Sequence, residues 1–260
     1  MKSMELSIII PTYNEGINVL NLAERIEQVL NDKIIYEIIF IDDSSDDTPI
    51  YLDQLSRRNQ SFRYVHRTNQ QGLSSAIVEG FHQAKSTFLI IMDGDLQHPP
   101  EVIPHIIKML KKGYEVVIPS RFIKGGGEDG LSIPRKLISW TARLIAKIAL
   151  RRVRSIKDPT SGFFAVKRSV IKECDFQSRG WKILLETIVK GDYLYLIEIP
   201  YGFEPRKVGN SKMHFIQQLD YLYLITKLVI SEPKDRKFWL AIFSAVACIC
   251  ISIAFYMILL

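Results

Sequence analysis

The sequence predicts an α/β fold, a Rossmann-like domain with a mainly parallel sheet, followed by a segment that crosses a membrane. Two observations support this: short β-branched runs alternate with amphipathic stretches, and an uncharged stretch ends the sequence. Such alternation favours parallel strands covered by helices, whose ligands bind outside the carboxyl ends of the strands. We therefore expect the functional residues in the loops that follow the strands.

The alternating elements occupy the first half of the chain. Predicted strands cover residues 6–10, 35–41, 62–65, 88–92 and 116–119, and predicted helices cover 17–30, 48–59, 73–85 and 101–112. The glycine-rich stretch KGGGEDG, residues 124–130, predicts a flexible loop after the fifth strand. No repeat or low-complexity linker divides the chain, so we expect one domain over residues 1–231.

Two later stretches predict helices at a membrane surface. Residues 136–154 form a helical pattern with apolar side chains on one face and basic side chains on the opposite one. Because this span has no acidic residue, we favour an interfacial helix over a solvated face on an ordinary core. Residues 215–230 have a wide apolar face and two charges, and both interfacial placement and core packing remain open. The apolar face of the first helix comprises Leu137, Thr141, Leu144, Ile145 and Ile148, and its basic face Lys136, Arg143, Lys147, Arg151 and Arg154.

The end of the sequence predicts a transmembrane helix. Residues 238–260 contain no charged side chain, and about 20 residues suffice for a helix to cross a bilayer. A buried core helix is the alternative, but such helices rarely run so far without a polar face. Lys234, Arg236 and Lys237 precede the stretch, so the positive-inside rule places the domain on the cytoplasmic side of the membrane.

Composition and absent motifs exclude several classes of protein. The 34 basic residues exceed the 28 acidic ones, and the net charge of +6 favours an anionic partner. Nucleic acid is disfavoured, because the cations concentrate beside apolar helices and no recognition module is present. Three cysteines without paired spacing exclude a disulfide scaffold and an ordinary zinc site. No GxGxxG follows the first strand and no GxxxxGK[ST] occurs, which disfavours dinucleotide oxidoreductases and P-loop NTPases.

Polar motifs follow the first two strands. PTYNE, residues 11–15, lies where a nucleotide-binding sheet presents a base or ribose contact. DDSSDD, residues 42–47, ends the second strand, and short acceptors there suit hydrogen bonding to a ribose or a base. We expect Asp42 or Asp43 to serve this role, whereas helix capping is the alternative that accounts for Asp46 or Asp47.

Two carboxylates follow the fourth strand. Asp93 and Asp95 are two residues apart, with Gln97 two further on, so the period of a strand places them on one side. Adjacent carboxylates repel each other unless a cation lies between them, and hard oxygen donors suit Mg²⁺ or Mn²⁺ shared with substrate phosphates. A polar turn is the alternative. We expect His98, which precedes two prolines, to be a loop residue rather than a further ligand.

With PTYNE, DDSSDD, QGLSSA and MDGDLQHPPE in this order, the chain resembles the family 2 glycosyltransferases of GT-A fold. PSRFIKGGGEDG, IPRKLIS, DPTSGFFAVKR and FEPRKVGNSKM resemble the dolichol/polyprenyl-phosphate mannose synthase branch. The resemblance extends from Leu6 to about Ser231. It implies metal-dependent, inverting transfer of mannose from GDP-mannose to a polyprenyl (dolichyl) phosphate at the cytoplasmic leaflet. A transferase for UDP-glucose or another UDP-sugar is the alternative, and a non-catalytic, membrane-tethered nucleotide-sugar sensor is a third hypothesis.

The resemblance also implies a role for particular residues. Pro11, Tyr13, Glu15 and Asp43 match positions that hold the nucleotide, and Arg206 and Lys212 match positions that meet phosphates of the nucleotide sugar in the closed site. Asp93, Asp95 and Gln97 match the metal and catalytic site, and Arg121, Arg135 and Ser139 match positions that meet the lipid phosphate. Guanidinium groups pair with phosphate bidentately, so we expect Arg121 and Arg135 to serve the acceptor. A surface salt bridge with Glu128 or Asp129 is the alternative for either arginine.

Overall fold

The fold is seen in a computed structural model, which describes residues 4–30, 34–68, 72–176, 182–205 and 215–240. The strands in these ranges are β1 (Leu6–Thr12), β2 (Tyr36–Asp42), β3 (Phe62–His66), β4 (Phe88–Ile91), β5 (Val116–Ser120), β6 (Phe164–Lys167) and β7 (Leu196–Pro200). They form one sheet in the order β3-β2-β1-β4-β6-β5-β7. Within this sheet β6 pairs antiparallel with β4 and β5, and the other pairs are parallel. The predicted α/β fold with a mainly parallel sheet is confirmed.

Helices connect these strands. They are α1 (Asn18–Leu30), α2 (Thr48–Arg58), α3 (Leu73–Gln83), α4 (Ile103–Lys111), α5 (Ile133–Ala149), α6 (Arg168–Ile171), α7 (Ile183–Lys190) and α8 (Phe215–Ser231). Every strand and helix predicted for the first half of the chain is present, with its ends shifted by one or two residues at most. The sequence pattern does not predict β6, β7, α6 or α7, because these elements are short and show no distinct apolar period.

Two hydrophobic cores cover the two faces of the sheet. Successive residues of a strand point to opposite faces. Ile8 and Ile10 therefore belong to the core beneath α1, α2 and α4, whereas Ile9 belongs to the core beneath α3, α5, α7 and α8. All seven residues of β1 are buried, as expected of a central strand covered on both faces. This double cover fixes the carboxyl ends of the central strands.

The order of the strands reverses at the boundary between β1 and β4. β2 and β3 lie on one side of β1, and β4 lies on the other. Open α/β sheets bind ligands in the crevice at such a point. The two loops that flank this crevice are close: a Cβ built on Gly94 would lie 3.2 Å from Cγ2 of Thr12. The sheet thus brings the PTYNE loop and the loop of Asp93 to one edge.

Helix α5 differs from the predicted helix of residues 136–154 in its ends, whereas its predicted apolar face lies largely outside the core, as the favoured interfacial helix requires. It starts at Ile133, and it stops at Ala149 because Leu150 is extended and buried before a short 3₁₀ turn, Arg151–Val153. The core side of the helix carries small side chains, which are Ala142, Ala146 and Ala149. Large apolar side chains point outward instead, with exposed fractions of 83% for Ile133, 63% for Leu137, 51% for Trp140, 40% for Leu144 and 53% for Ile148. The predicted apolar face is therefore largely an exposed face, although Ile145 packs partly against the core.

Helix α8 packs against the core, one of the two alternatives that its sequence leaves open, and interfacial placement of its exposed side stays a prediction. One side is buried against the core, and the hydroxyl of Tyr221 donates a hydrogen bond to the carbonyl of Ala142 in α5. The other side exposes Leu219, Leu222, Tyr223 and Ile230. The chain is helical again over residues 233–240, where Nε1 of Trp239 donates to the carbonyl of Ala149 at 3.0 Å.

In the described part of the chain, none of the helices has both the length and the apolar character needed to cross a membrane. The transmembrane helix predicted for residues 238–260 lies, from residue 241 onward, outside the described residues.

Candidate active site

The loops that follow β1 and β2 are joined by hydrogen bonds. The backbone N–H of Asn14 donates to Oγ of Ser44 at 2.7 Å, and Oδ1 of Asn14 accepts the N–H of Ser45 at 2.9 Å. Asn14 has a φ of 52°, a left-handed conformation that asparagine tolerates better than most residues. Pro11, predicted to follow the first strand, is in fact a buried residue of β1, because pairing with β2 continues to Thr12. Beyond the strand end, the side chain of Tyr13 is 40% exposed.

The carboxylates after β2 have different roles. Asp42 is fully buried, and it accepts hydrogen bonds from Oγ1 of Thr12 at 2.7 Å and from Ser44, while Nδ1 of His66 lies 2.7 Å from its other oxygen. These contacts make Asp42 a structural residue. Asp46 accepts the backbone N–H and the hydroxyl of Thr48, the first residue of α2, whereas Asp47, at the N-cap position, makes no capping hydrogen bond through its side chain.

Asp43 is held by an arginine that the sequence reasoning missed. Nε of Arg67 donates to Oδ1 of Asp43 at 2.6 Å, and Nη2 donates to Oδ2 at 2.5 Å. Arg67 also donates to Oγ of Ser75 in the first turn of α3. This pair fixes the side chain of Asp43 at the edge of the sheet. Its role in nucleotide binding, like those of Tyr13 and Glu15, stays a prediction.

Asp93 and His98 form one wall of a cavity beyond the end of β4. The Asp93 side chain is 36% exposed, whereas His98 is buried. Nδ1 of His98 accepts the backbone N–H of Asp93 at 3.1 Å, and the imidazole ring stacks on Phe163 with centroids 5.1 Å apart. Burial lowers the pKa of His98, so the ring is neutral at pH 7 and one nitrogen serves as an acceptor. His98 thus lies in a loop, as predicted, and holds the backbone of Asp93.

The loop from Asp95 to Gln97 is sharply turned. Leu96, between them, has a φ of 64°, a conformation that is costly for leucine and that recurs at functional sites. Oδ1 of Asp95 accepts the N–H of Gln97 at 3.2 Å, and the side-chain amide of Gln97 donates to the carbonyl of Glu204 at 3.0 Å. Both residues are nearly fully buried. The amide contact leaves Oε1 as the atom through which Gln97 can ligate a cation.

The donors in this loop fit a hard divalent cation. Among the residues that the structure describes, no cluster of three or more His, Cys, Asp or Glu side chains is arranged to hold a metal. Mg²⁺ and Mn²⁺ need fewer protein ligands when substrate phosphates complete their shell, and one or two carboxylates then suffice. Asp93, Asp95 and the amide oxygen of Gln97 are donors of this kind, and they come from one short loop at the crevice.

Arg121 is locked in a buried ion pair with Asp158. Its Nε and Nη2 each lie 2.8 Å from an oxygen of that carboxylate, and its backbone N–H donates to the same group at 3.2 Å. Burial lowers the pKa of Arg121, but the hydrogen bonds and charge of Asp158 outweigh it and the pKa lies above its ordinary value. Oε1 of Glu128 lies 3.9 Å from Nη1 of Arg121. The alternative pairing with Glu128 is therefore present only as the longer contact, and the main partner of Arg121 is the buried Asp158, which the sequence does not reveal.

The glycine-rich loop after β5 is held in place by backbone contacts. The N–H of Gly127 donates to the carbonyl of Tyr201 at 3.1 Å, and the N–H of Gly130 donates to that of Phe203 at 3.0 Å. A Cβ on Gly126 would lie 2.5 Å from the carbonyl oxygen of Ser120, and one on Gly130 would lie 2.1 Å from that of Glu204. Close backbone approach accounts for Gly126 and Gly130, and the flexibility of the loop stays a prediction.

The cavity joins the loop of Asp93 to helix α5. It has a volume of about 130 Å³. Arg135 and Ser139 reach it from α5, Arg121 from the end of β5, and Lys182 from the start of α7. The predicted residues Asp93, Arg121, Arg135 and Ser139 are therefore brought together. Arg206 and Lys212 lie outside the described residues.

Lys182 is a cavity residue that the sequence does not reveal. Its Nζ donates to the carbonyl of Thr160 at 2.6 Å. Burial, and next the positive charge of Arg121, lower the pKa of Lys182 to about 8. A single lysine with no recognisable motif around it carries no sequence signal for such a position, whereas the fold places it in the same cavity as Arg135.

A search for known families identifies the class of protein. The sequence model described as "Glycosyl transferase family 2" matches residues 7–175, which include β1 to β6 and the loops of Asp43, Asp93 and Arg121. The chain therefore belongs to glycosyl transferase family 2, and it is a glycosyltransferase. Its relatives include dolichol-phosphate mannosyltransferases.

Relatives bearing the name dolichol-phosphate mannosyltransferase are similar over most of this chain. The protein from Pyrococcus furiosus is 41% identical over 234 residues, which cover 90% of this chain and 66% of that protein. Those from Saccharomyces cerevisiae and Mycosarcoma maydis are 35% and 33% identical, covering 85% and 84% of this chain and 88% and 78% of theirs. The chain thus spans just under two thirds of the Pyrococcus protein and more of the two fungal ones.

Solved structures show the same fold. One is the "Crystal Structure of a Mycobacterial Protein", with a TM-score of 0.67 at 18% identity, covering 88% of this chain and 74% of that one. Another is glucosyl-3-phosphoglycerate synthase from Mycobacterium tuberculosis in complex with Mn²⁺, UDP-glucose and phosphoglyceric acid. Its TM-score is 0.65 at 17% identity, covering 87% and 79% of the two chains. The GT-A-like fold implied by the sequence motifs is confirmed.

Proposed function

We propose that this glycosyltransferase moves mannose from GDP-mannose to a polyprenyl (dolichyl) phosphate, with inversion, at the cytoplasmic face of a membrane. The observation that carries the proposal is the cavity that joins Asp93, at the sheet edge, to Arg135 and Ser139 on α5, a helix with exposed large apolar side chains. The names of the relatives support the sugar and the acceptor.

The acceptor phosphate is assigned to the α5 side of the cavity. Arg135 and Lys182 supply positive charge there, and Ser139 supplies a hydroxyl donor. Ile138 and Leu131 line the same cavity and offer apolar contacts to the first isoprene units. Arg121 is already paired with Asp158, and the two charges neutralise each other. We therefore assign Arg121 the role of shaping the cavity beneath the phosphate.

The nucleotide sugar is assigned to the crevice between β1 and β4. Tyr13, Glu15 and Asp43 border it, and Asp93, Asp95 and Gln97 would hold Mg²⁺ or Mn²⁺. A divalent cation at that position supplies neutralisation of the diphosphate leaving group. The M. tuberculosis synthase with the same fold was solved with Mn²⁺ and UDP-glucose, which supports a metal for this fold.

The chemistry is a single displacement. An oxygen of the lipid phosphate attacks the anomeric carbon of mannose, a new carbon–oxygen bond forms, and the bond from that carbon to the β-phosphate of GDP breaks. The nucleophile is already an anion, so no general base is required and the protein acts by orientation and charge stabilisation. Arg135 and Lys182 orient the acceptor, and the neutral His98 keeps the backbone of Asp93 in place.

Exposed apolar side chains support a membrane-bound enzyme. Leu137, Leu144 and Ile148 of α5 and Leu219 and Leu222 of α8 are exposed large hydrophobic residues on helices that pack against each other. Several exposed large apolar side chains on neighbouring helices favour an interaction site, and a lipid acceptor must arrive from a bilayer. The basic residues before residue 238 and the uncharged stretch after it support a cytoplasmic orientation.

A donor panel tests the proposal. The purified full chain is incubated with Mn²⁺, polyprenyl phosphate and either GDP-mannose, UDP-glucose or UDP-N-acetylglucosamine, and the lipid extract is analysed by mass spectrometry. We expect a mannosyl phospholipid from GDP-mannose at a rate at least tenfold above any other product. A preference for a UDP-sugar would overturn the donor assignment, and donor binding without consumption would support the sensor hypothesis instead.

A further inference from the structure

The outer side of α5 forms a second cavity, which we call the outer groove. It has a volume of about 400 Å³. The residues that line it are Phe122, Trp140, Arg143, Leu144, Lys147 and Lys157. Arg135, Ile138, Ser139 and Ala142 of the same helix line the active-site cavity, so the two cavities lie on different sides of α5.

Three cations converge on the outer groove. The guanidinium carbon of Arg143 lies 3.5 Å from the centre of the Phe122 ring, which fixes that side chain against an aromatic face. Lys147 follows one turn later on α5, and Lys157 approaches from the segment after the 3₁₀ turn. Burial, together with the charges of Lys157 and Arg143, lowers the pKa of Lys147. Three cations thus line one groove, and a bound anion would reduce the repulsion among them.

Acidic side chains near the groove are already engaged. The carboxylate of Glu198 accepts the backbone N–H groups of Lys157 at 2.7 Å and Asp158 at 2.9 Å. Asp158 itself is paired with Arg121. None of the described residues that line the groove is acidic. Glu198 keeps its negative charge, but three cations line the groove and the charge of Asp158 is neutralised by Arg121, so an excess of positive charge remains that favours an anionic ligand.

Apolar side chains form the rim of the same groove. Trp140 is 51% exposed and Leu144 is 40% exposed, and Ile148 continues this surface along α5. Tryptophan and long basic side chains are suited to a membrane interface, because each presents an apolar body and a polar end. A ligand that has both an anionic group and an apolar body uses the whole groove, whereas a free inorganic anion uses the cations alone.

We propose that the outer groove binds the phosphodiester headgroup of an anionic membrane phospholipid that is not a substrate. The proposal deepens the proposed function and rests on it in one respect, namely that α5 lies against a bilayer. The lipid holds α5 at the headgroup level from outside, while the acceptor enters the active-site cavity on the other side of the helix.

A binding titration tests the proposal. The full chain in neutral detergent micelles is titrated calorimetrically with dihexanoyl-phosphatidylglycerol, dihexanoyl-phosphatidylcholine and inorganic phosphate. We expect saturable binding of the phosphatidylglycerol at least tenfold tighter than that of the other two probes. Inorganic phosphate that binds as tightly as the lipid would overturn the lipid assignment, and equal binding of the zwitterionic lipid would overturn the role of the cations.

Matched variants locate the site. Lys147→Gln/Lys157→Gln should weaken phosphatidylglycerol binding at least tenfold, and Lys147→Arg/Lys157→Arg should restore it. The control Lys136→Gln/Arg151→Gln removes the same charge from the same segment outside the groove and should change affinity less than twofold. An equal loss in both double variants would mean that the attraction is a general one of charge, and would overturn the proposal.

Two further measurements separate this site from the active site. Arg135→Ala should leave phosphatidylglycerol affinity within twofold, and a loss there would place the probe in the active-site cavity. Lys147→Gln/Lys157→Gln should keep mannosyl transfer to a short-chain acceptor in micelles within twofold of wild type, and a larger loss would assign the groove to catalysis. If neither the wild type nor any variant transfers mannose, the proposed function fails. The lipid titration still shows whether the outer groove binds an anionic phospholipid.

Discussion

Arg121 and Asp158 form a two-point ion pair beneath the active-site cavity, with both nitrogen–oxygen distances at 2.8 Å. Asp158 is completely buried and the side chain of Arg121 is 9% exposed. The pair ties the end of β5 to the DPTSGF segment, whose Thr160 holds Lys182 and whose Gly162 lies against Asp93. An ion pair at the base of the cavity thus sets the positions of two cavity walls.

Breaking this pair should destabilise the protein. Asp158→Ala leaves the buried charge of Arg121 without its partner, and such losses cost about 3 to 5 kcal/mol of unfolding free energy. Urea unfolding followed by circular dichroism measures the change. The control is Glu128→Ala, because Glu128 lies 3.9 Å from the same guanidinium, and it should cost less than about 1 kcal/mol. Equal losses of unfolding free energy in the two variants would show that Asp158 is not the main partner of Arg121.

Asp95→Ala should abolish transfer and leave the fold intact. Its carboxylate is assigned to the divalent cation, whose removal leaves the charge of the leaving diphosphate unneutralised. Transfer by the wild type in excess EDTA should fall equally, and calorimetry should show weaker Mn²⁺ binding by the variant in the presence of GDP. Asp129→Ala, in the glycine-rich loop, serves as the control and should keep most activity. Full activity of wild type in EDTA would contradict the metal assignment.

Arg135→Ala should impair the acceptor and spare the donor. Its guanidinium lines the cavity on the α5 side, away from the crevice assigned to the nucleotide. We expect the KM for polyprenyl phosphate to rise at least tenfold, with GDP-mannose affinity in Mn²⁺ and without lipid within threefold of wild type. Lys136→Ala, the adjacent residue, is the control. A comparable loss of affinity for GDP-mannose would assign Arg135 to the nucleotide site instead.

Lys182→Met should change how stability depends on pH. The pKa of this lysine falls from 10.5 to about 8 on folding, so between pH 8 and 10.5 the unfolded chain binds a proton that the folded chain lacks. Burying the charged lysine therefore destabilises the wild type fully below pH 8, and this cost disappears as the pH rises towards 10.5. The stability of the variant relative to wild type should fall by up to about 3 kcal/mol from pH 7 to pH 10.5. A difference independent of pH would mean that the lysine is not buried as described.

The sequence predicts the frame of the fold well, because buried parallel strands have strong local signals. Continuous apolar runs such as that of β1, bounded by turns, lead directly to the central strands and to the loop of Asp93. β6 is missed because four residues show no period, and its antiparallel direction depends on pairing with β4 and β5. The exposed apolar face with Leu137 and Leu144 agrees with the predicted interfacial helix, but its contact with a membrane stays a prediction, since periodicity defines a face and not what that face contacts.

The sequence does not reveal which charged residues of the site pair with each other. Arg67 is 24 positions from Asp43, and Arg121 is 37 positions from Asp158, and only the sheet brings each pair together. His98 lies in the MDGDLQHPPE motif, but its contact with the backbone of Asp93 is not evident from it, and Lys182, which lines the same cavity as Arg135, carries no motif. The motif residues Asp93, Arg121, Arg135 and Ser139 were predictable, whereas the contacts that hold them were not.

The most direct test of the account is to follow the anomeric centre through the reaction. The full chain is supplied with GDP-α-mannose, Mn²⁺ and polyprenyl phosphate, and the products are examined by proton and phosphorus NMR. The account predicts one GDP released for each lipid-linked mannose formed, with the mannose in the β configuration, because one displacement at the anomeric carbon inverts it. An α-linked product, or release of free mannose without a glycolipid, would contradict it.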